Sequence, residues 1–237
     1  MNMGKEQNID NVHKTEHLFW GKSFLEYFLE FINKYSSKKE RVYFKQTKED
    51  KERRLQKYKE YLETLAASES SELFSNGGVE YAAILMSILL EHTEKQALIF
   101  SQGFKAELIT RQPYWDSLQT YLEDPNHALS ILVETDKHID EEPLKLVNDI
   151  NKQRKSKGGK LIEIKLLNSV GKKIISDRFG DKPCNFAIYD DDKFRFEYDP
   201  VEYKAYGSFN QPDNCRVLTD AFNEAFKVSE SLILGEK

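Results

Sequence analysis

The chain is short of the residues that mark several common protein classes. Its 237 residues include two cysteines, Cys184 and Cys215. They do not form C-x-x-C, so neither a zinc ribbon nor a thioredoxin-like motif fits, and two free, buried thiols in a reducing compartment are expected. Long apolar runs are missing. The longest, Ala82 to Leu90, is broken by Ser87 and falls well below the roughly 20 residues that span a bilayer. The opening MNMGKEQNID has no apolar core, which gives no secretory signal. Basic excess is absent too: Lys and Arg number 35 against 40 Asp and Glu, a net charge of −5. That leaves no overall basic footprint for nucleic acid. The glycine pairs Gly77-Gly78 and Gly158-Gly159 build neither G-x-G-x-x-G nor a P-loop. These absences lead to the expectation of a cytoplasmic protein, off the membrane, without cofactor or metal.

The chain is nevertheless 12% aromatic, which argues for a packed core rather than disorder. Residues 1–75 read as a tail and two helices. The first helix, His17 to Tyr35, has a broad aromatic face. The second, Thr47 to Ala67, repeats Leu55, Tyr58, Leu62 and Leu65 in steps of three and four. Such spacing fits a short coiled-coil seam or, in the preferred reading, an amphipathic helix packed on its neighbour. Partners are therefore expected to dock on the N-terminal helices, as a foreign protein or as a second copy. The Ser-, Asn- and Gly-rich stretch Ser68 to Gly78 sets a boundary, and residues 76–237 form an α/β domain. There, apolar strands at Ala97 to Ser101, Leu129 to Glu134 and Leu161 to Leu167 alternate with helices. This predicts a mixed, largely parallel sheet flanked by helices. A closing helix at Asp213 to Val228 follows a meander of three strands, NFAIY, KFRFEY and VEYKAYGSF.

That meander, Asn185 to Asn210, resembles the phospholipase D superfamily. The family carries H-x-K-x4-D and then G-S-x-N. Here Asn185, Ala187 and Asp192 keep the first spacing, and Gly207, Ser208 and Asn210 keep the second. The resemblance covers about Gly78 to Leu234 and implies that α/β fold. It also implies a histidine nucleophile and a phosphate-holding lysine, both replaced here. An asparagine amide is a poor nucleophile and no base near neutral pH, and Ala187 brings no charge. None of the five histidines begins H-x-K. The domain resembles a degenerate member, with no catalytic residues.

Several sites remain as expectations. Asn185, Asp192, Lys204, Ser208 and Asn210 would line a vestigial pocket for an anionic ligand, with turn-tying as the alternative for Ser208 and Asn210. Lys152, Arg154, Lys155, Lys157 and Lys160 form a basic cluster that would contact nucleic acid. His138, between Asp136 and Asp140 after a strand, is a candidate base. His13 to His17 spell H-x-x-E-H, although no third zinc ligand accompanies them. The leading function is a non-catalytic regulatory or assembly subunit, by analogy of architecture an accessory part of a bacterial defence system. The alternatives are a phosphodiesterase or nuclease with a rearranged site, and a nucleotide- or nucleic-acid-binding module.

Overall fold

A computed structural model describes residues 48–232. The aromatic helix expected at His17 to Tyr35 and the H-x-x-E-H pattern lie outside them. In chain order the elements are α1 Lys48–Ala67, β1 Phe74–Asn76, α2 Val79–Glu91, β2 Gln96–Ser101, α3 Ala106–Ile109, α4 Tyr114–Glu123, β3 Ala128–Val133, a 3-10 turn Asp136–His138, α5 Glu141–Ser156, β4 Glu163–Leu166, α6 Ser169–Phe179, β5 Asn185–Tyr189, β6 Lys193–Asp199, β7 Lys204–Ser208, α7 Pro212–Val228 and β8 Glu230–Ser231. No described helix is long and apolar enough to cross a membrane.

The strands form one mixed sheet in the order β1-β7-β6-β5-β2-β3-β4-β8, with helices flanking it as expected. The parallel part is smaller than expected. Among the described strands, only β2-β3 and β3-β4 run parallel, and the other pairings are antiparallel. For β5, β6 and β7 the cause is local: tight turns join them, and such turns connect only antiparallel neighbours.

Alternation along the strands gives the sheet two apolar faces. On one, Phe100, Phe186 and Phe196 stand in register, and the Phe179 ring of α6 packs tilted against the latter two at 5.3 and 5.7 Å between ring centres. Helix α7 closes this face with Leu218, Ala221 and Phe222, and Pro212 sits in its first turn, where a missing N–H costs nothing. On the other face, α2 is buried from Ala82 through Leu90, because it lies between the sheet and further helices.

Helix α1 belongs to this second layer. Leu62 and Leu65 are buried in the same core, and Leu55 and Tyr58 pack against it. The spacing that suggested a seam for a partner is therefore turned inward, onto α2. The described residues form one compact unit, and the boundary expected at 75/76 falls within β1. The Ser- and Gly-rich stretch holds β1 instead, which pairs Phe74 with Gly207 and Asn76 with Ala205.

The acidic turn after β5 is a clamp. Asp190 adopts a positive φ of 55°, and its carboxylate accepts the backbone N–H groups of Glu94, Lys95 and Gln96 at 2.8–3.1 Å. It thus ties the β5-β6 hairpin to the start of β2, at the line where the antiparallel and parallel parts of the sheet meet.

Candidate ligand pocket

The β5-β6 hairpin aligns Asn185 with Glu197 and Ala187 with Arg195. Residues two apart on a strand share a face, so all four project toward the α2 side of the sheet. They meet at the carboxyl ends of β2 and β3, since Phe100 of β2 pairs with Phe186. Ligands in open α/β sheets bind at those ends.

There the structure has a cavity of about 110 Å³. Its polar lining is Ser101, Gln102, Lys105, Asn185, Arg195, Glu197 and Tyr203, and most of the remaining wall is apolar, including Met86, Ile99, Phe104, Leu108, Tyr114, Ile131 and Ala187. Arg195 Nη2 donates to Glu197 Oε1 at 2.5 Å, with both side chains no more than 4% exposed. Asn185 Nδ2 donates to the other carboxylate oxygen, and its Oδ1 accepts the N–H of Gln102 at 2.8 Å. The network joins β5, β6 and the loop leaving β2. Arg195 Nε is buried and has no hydrogen-bond partner among the described residues.

Two tyrosines flank the network. Burial pushes the Tyr114 phenol well above its ordinary range, with Arg195 opposing the shift. Tyr203 donates to Glu107 at 3.0 Å, and burial followed by that hydrogen bond pushes it up to about 12. Both are neutral at physiological pH. Gly103 in the loop after β2 is required by close approach: a Cβ there would stand 2.5 Å from the His138 Cβ, so the loop lies flat against the 3-10 turn.

The five residues expected to line one anion pocket are not gathered together. Asn185 lies in the cavity. Lys204 is exposed, 3.6 Å from Asp199. Asp192, Ser208 and Asn210 lie toward the other end of the sheet, where Ser208 pairs with Phe194. Phe194 stands three residues from Glu197 along β6, about 10 Å at strand rise. Ser208 Oγ donates to the Ser70 carbonyl at 3.3 Å, and Asn210 Nδ2 to that of Glu69 at 3.1 Å. Both residues tie the turn to the segment following α1. The motif glycine has a packing role as well, since a Cβ on Gly207 would meet the Phe194 carbonyl at 2.4 Å and the Phe74 ring at 2.9 Å.

The basic cluster divides in the same way. Lys152, Lys155, Lys157 and Lys160 are exposed, but Arg154 is 3% exposed. Its guanidinium donates to the carbonyls of Leu122, Lys160 and Asp124, which withdraws it from any surface phosphate. His138 is placed at Gly103, where its carbonyl accepts the Phe104 N–H at 2.7 Å. Asp140 Oδ2 accepts the N–H of Ala106 at 2.6 Å.

The sequence reading missed Arg195, Glu197, Gln102 and Tyr203. The first two had a signal: in KFRFEY they alternate with phenylalanines. Pairing that strand against NFAIY across the acidic turn puts them opposite Ala187 and Asn185.

Neither a protein-family model nor a curated protein sequence matches the chain. Among solved structures it is similar to TrmBL2, an archaeal chromatin protein whose structure shows a novel mode of DNA binding. The identity is 16%, over 95% of this chain and 72% of that one, with a TM-score of 0.46. It is also similar to Nuc from Salmonella typhimurium, a phospholipase D family member, with 10% identity, 68% and 98% coverage and a TM-score of 0.46. For NucT from Helicobacter pylori the values are 8% identity, 68% and 100% coverage and a TM-score of 0.46.

Proposed function

We propose that this chain is a non-catalytic regulatory or assembly subunit built on a degenerate phospholipase D-like domain. The state of Asn185 carries this reading. It stands where H-x-K would put the nucleophile, and both ends of its amide are occupied, by Gln102 N–H and by Glu197. Such a group neither attacks phosphorus nor takes up a proton. Ala187, on the same strand face, offers no cation, and the Arg195 guanidinium is paired with Glu197.

The rearranged-phosphodiesterase alternative needs His138 beside Ser208 and Asn210. His138 packs at Gly103, by the carboxyl ends of the parallel strands. Ser208 and Asn210 bond to residues 69 and 70, toward the opposite end. That separation supports the non-catalytic reading. The domain then acts as a sensor or docking platform, with its pocket kept for binding.

The test is a turnover assay of the intact chain with bis(p-nitrophenyl) phosphate and with single- and double-stranded DNA. The expected result is no hydrolysis above a blank, with and without divalent cations. Hydrolysis that falls in Asn185→Ala or His138→Ala overturns the reading.

A further inference from the structure

The cavity sorts its lining by polarity. At one end lie Ser101, Gln102 and Lys105 of the loop leaving β2. Lys105 is exposed, and Ser101 and Gln102 are half-buried, so this end is the mouth. At the other end lie Leu118 and Leu122 of α4, Leu129 of β3, Val147 of α5 and Ile162, none more than 6% exposed. Ser101 pairs with Val133, four residues beyond Leu129, so the two ends stand about 13 Å apart at strand rise, less what the lining side chains fill. The charged residues of the lining are Lys105, Arg195 and Glu197. Arg195 and Glu197 neutralise each other, which leaves the charge of Lys105 uncancelled. Glu107, the acid next to it in sequence, lies outside the lining and accepts from Tyr203. Ser101 Oγ accepts the Gly103 N–H at 3.4 Å. Among the described residues Lys105 forms no ion pair, and the Ser101 hydroxyl donates to nothing.

Resting on the non-catalytic reading, we infer that this cavity binds a short-chain carboxylate, its alkyl tail among Leu118, Leu129 and Val147 and its headgroup at the mouth, held by the Lys105 ammonium and the Ser101 hydroxyl. The tail follows from the closed end. A polar group there would be buried without a partner, whereas each methylene gains by leaving water. The headgroup follows from the mouth, where one uncancelled cation and one free hydroxyl donor favour a single negative charge. Lysine carries its ammonium on a flexible stem, so Lys105 reaches a carboxylate at the rim without backbone movement. The size follows from the volume of about 110 Å³. A cavity of about 150 Å³ holds benzene, so roughly four or five tail carbons are enclosed, and pentanoate and hexanoate fit.

Calorimetric titration of the intact chain with the straight-chain acids from propanoate to octanoate tests this, with hexanol and hexylamine as comparators. Affinity is expected to rise about fourfold per methylene up to hexanoate and then to stop rising, because the far end is closed. Hexanol should bind about tenfold more weakly than hexanoate, and hexylamine should not bind measurably. Lys105 is exposed, so Lys105→Gln leaves the core untouched. It should weaken hexanoate about three- to tenfold and leave hexanol unchanged. Amide resonances of residues 101–105 and 129–131 should move with hexanoate. The inference is overturned by absent binding, by affinity that ignores chain length, by hexanol or hexylamine binding as tightly as hexanoate, by equal hexanoate affinity in Lys105→Gln, or by resonance shifts confined to other residues. Hydrolysis of bis(p-nitrophenyl) phosphate would remove the non-catalytic reading and leave this binding result standing. Absent hexanoate binding would do the reverse.

Discussion

Arg195 and Glu197 lie two residues apart on one strand, and their side chains form an ion pair at 2.5 Å that is almost wholly removed from solvent. Removing both charges from water is costly, and the pair persists because each partner compensates the other. Arg195→Met alone is expected to destabilise the chain by about 3–5 kcal/mol, and Glu197→Leu by a similar amount. The double replacement should recover most of that loss. Urea denaturation of the four proteins in this cycle measures it, and simple additivity of the two losses would show that the pair is not coupled.

The Arg154 guanidinium is a structural cation, spent on three backbone carbonyls. Arg154→Ala leaves the carbonyls of Leu122, Asp124 and Lys160 without their donor, a loss of about 2–4 kcal/mol. Lys152→Ala, Lys155→Ala and Lys157→Ala, all at exposed positions, should each stay within about 0.5 kcal/mol of the parent. Thermal unfolding distinguishes the two groups, and equal effects would contradict the placement of Arg154.

Helix α1 is integral to the core. Leu62→Ala, at a fully buried position, should cost about 2–5 kcal/mol. A chain beginning at Thr47 is expected to unfold cooperatively. One beginning at Gly78 lacks both α1 and β1, and should show no cooperative transition by circular dichroism.

Burial pushes the Cys184 and Cys215 thiols up to about 12. An acid with a raised pKa in the folded state is held neutral there. The native state therefore loses stability as pH rises above the unfolded thiol value of about 8.5 and continues to lose it up to the folded value. The buried tyrosines act in the same direction at still higher pH. Urea midpoints should be lower at pH 10 than at pH 8. At pH 8 a disulfide reagent should label neither thiol in the native chain and both in urea. Fast native labelling would show that the thiols are accessible.

The α/β pattern, the meander and the closing helix were legible because each rests on local periodicity. ALIF reads as a buried strand, and the acidic turn reads as a turn. The short β1 was not legible, since three residues within a Ser- and Gly-rich stretch carry no periodic signal and pair only with the distant strand β7. The orientation of α1 was equally hidden: its spacing shows an apolar stripe but not which surface covers it. For the pocket, Asn185 was found through motif spacing. Arg195 and Glu197 required the register of the hairpin. Ser208 and Asn210 keep the motif's spacing, but their hydrogen bonds go to the turn after α1. Motif spacing fixes distance along the chain, whereas a pocket depends on which strand end a residue reaches.

The sheet ends in two very short strands, β1 with three residues and β8 with two. Long, straight margins are where β proteins recruit foreign strands and where fibrils start. A margin of two or three residues offers too few free backbone groups to template either process. Among the described residues, the sheet's margins therefore offer little for growth in its own plane. A destabilised variant would first have to shed a margin strand before its interior strands became sticky.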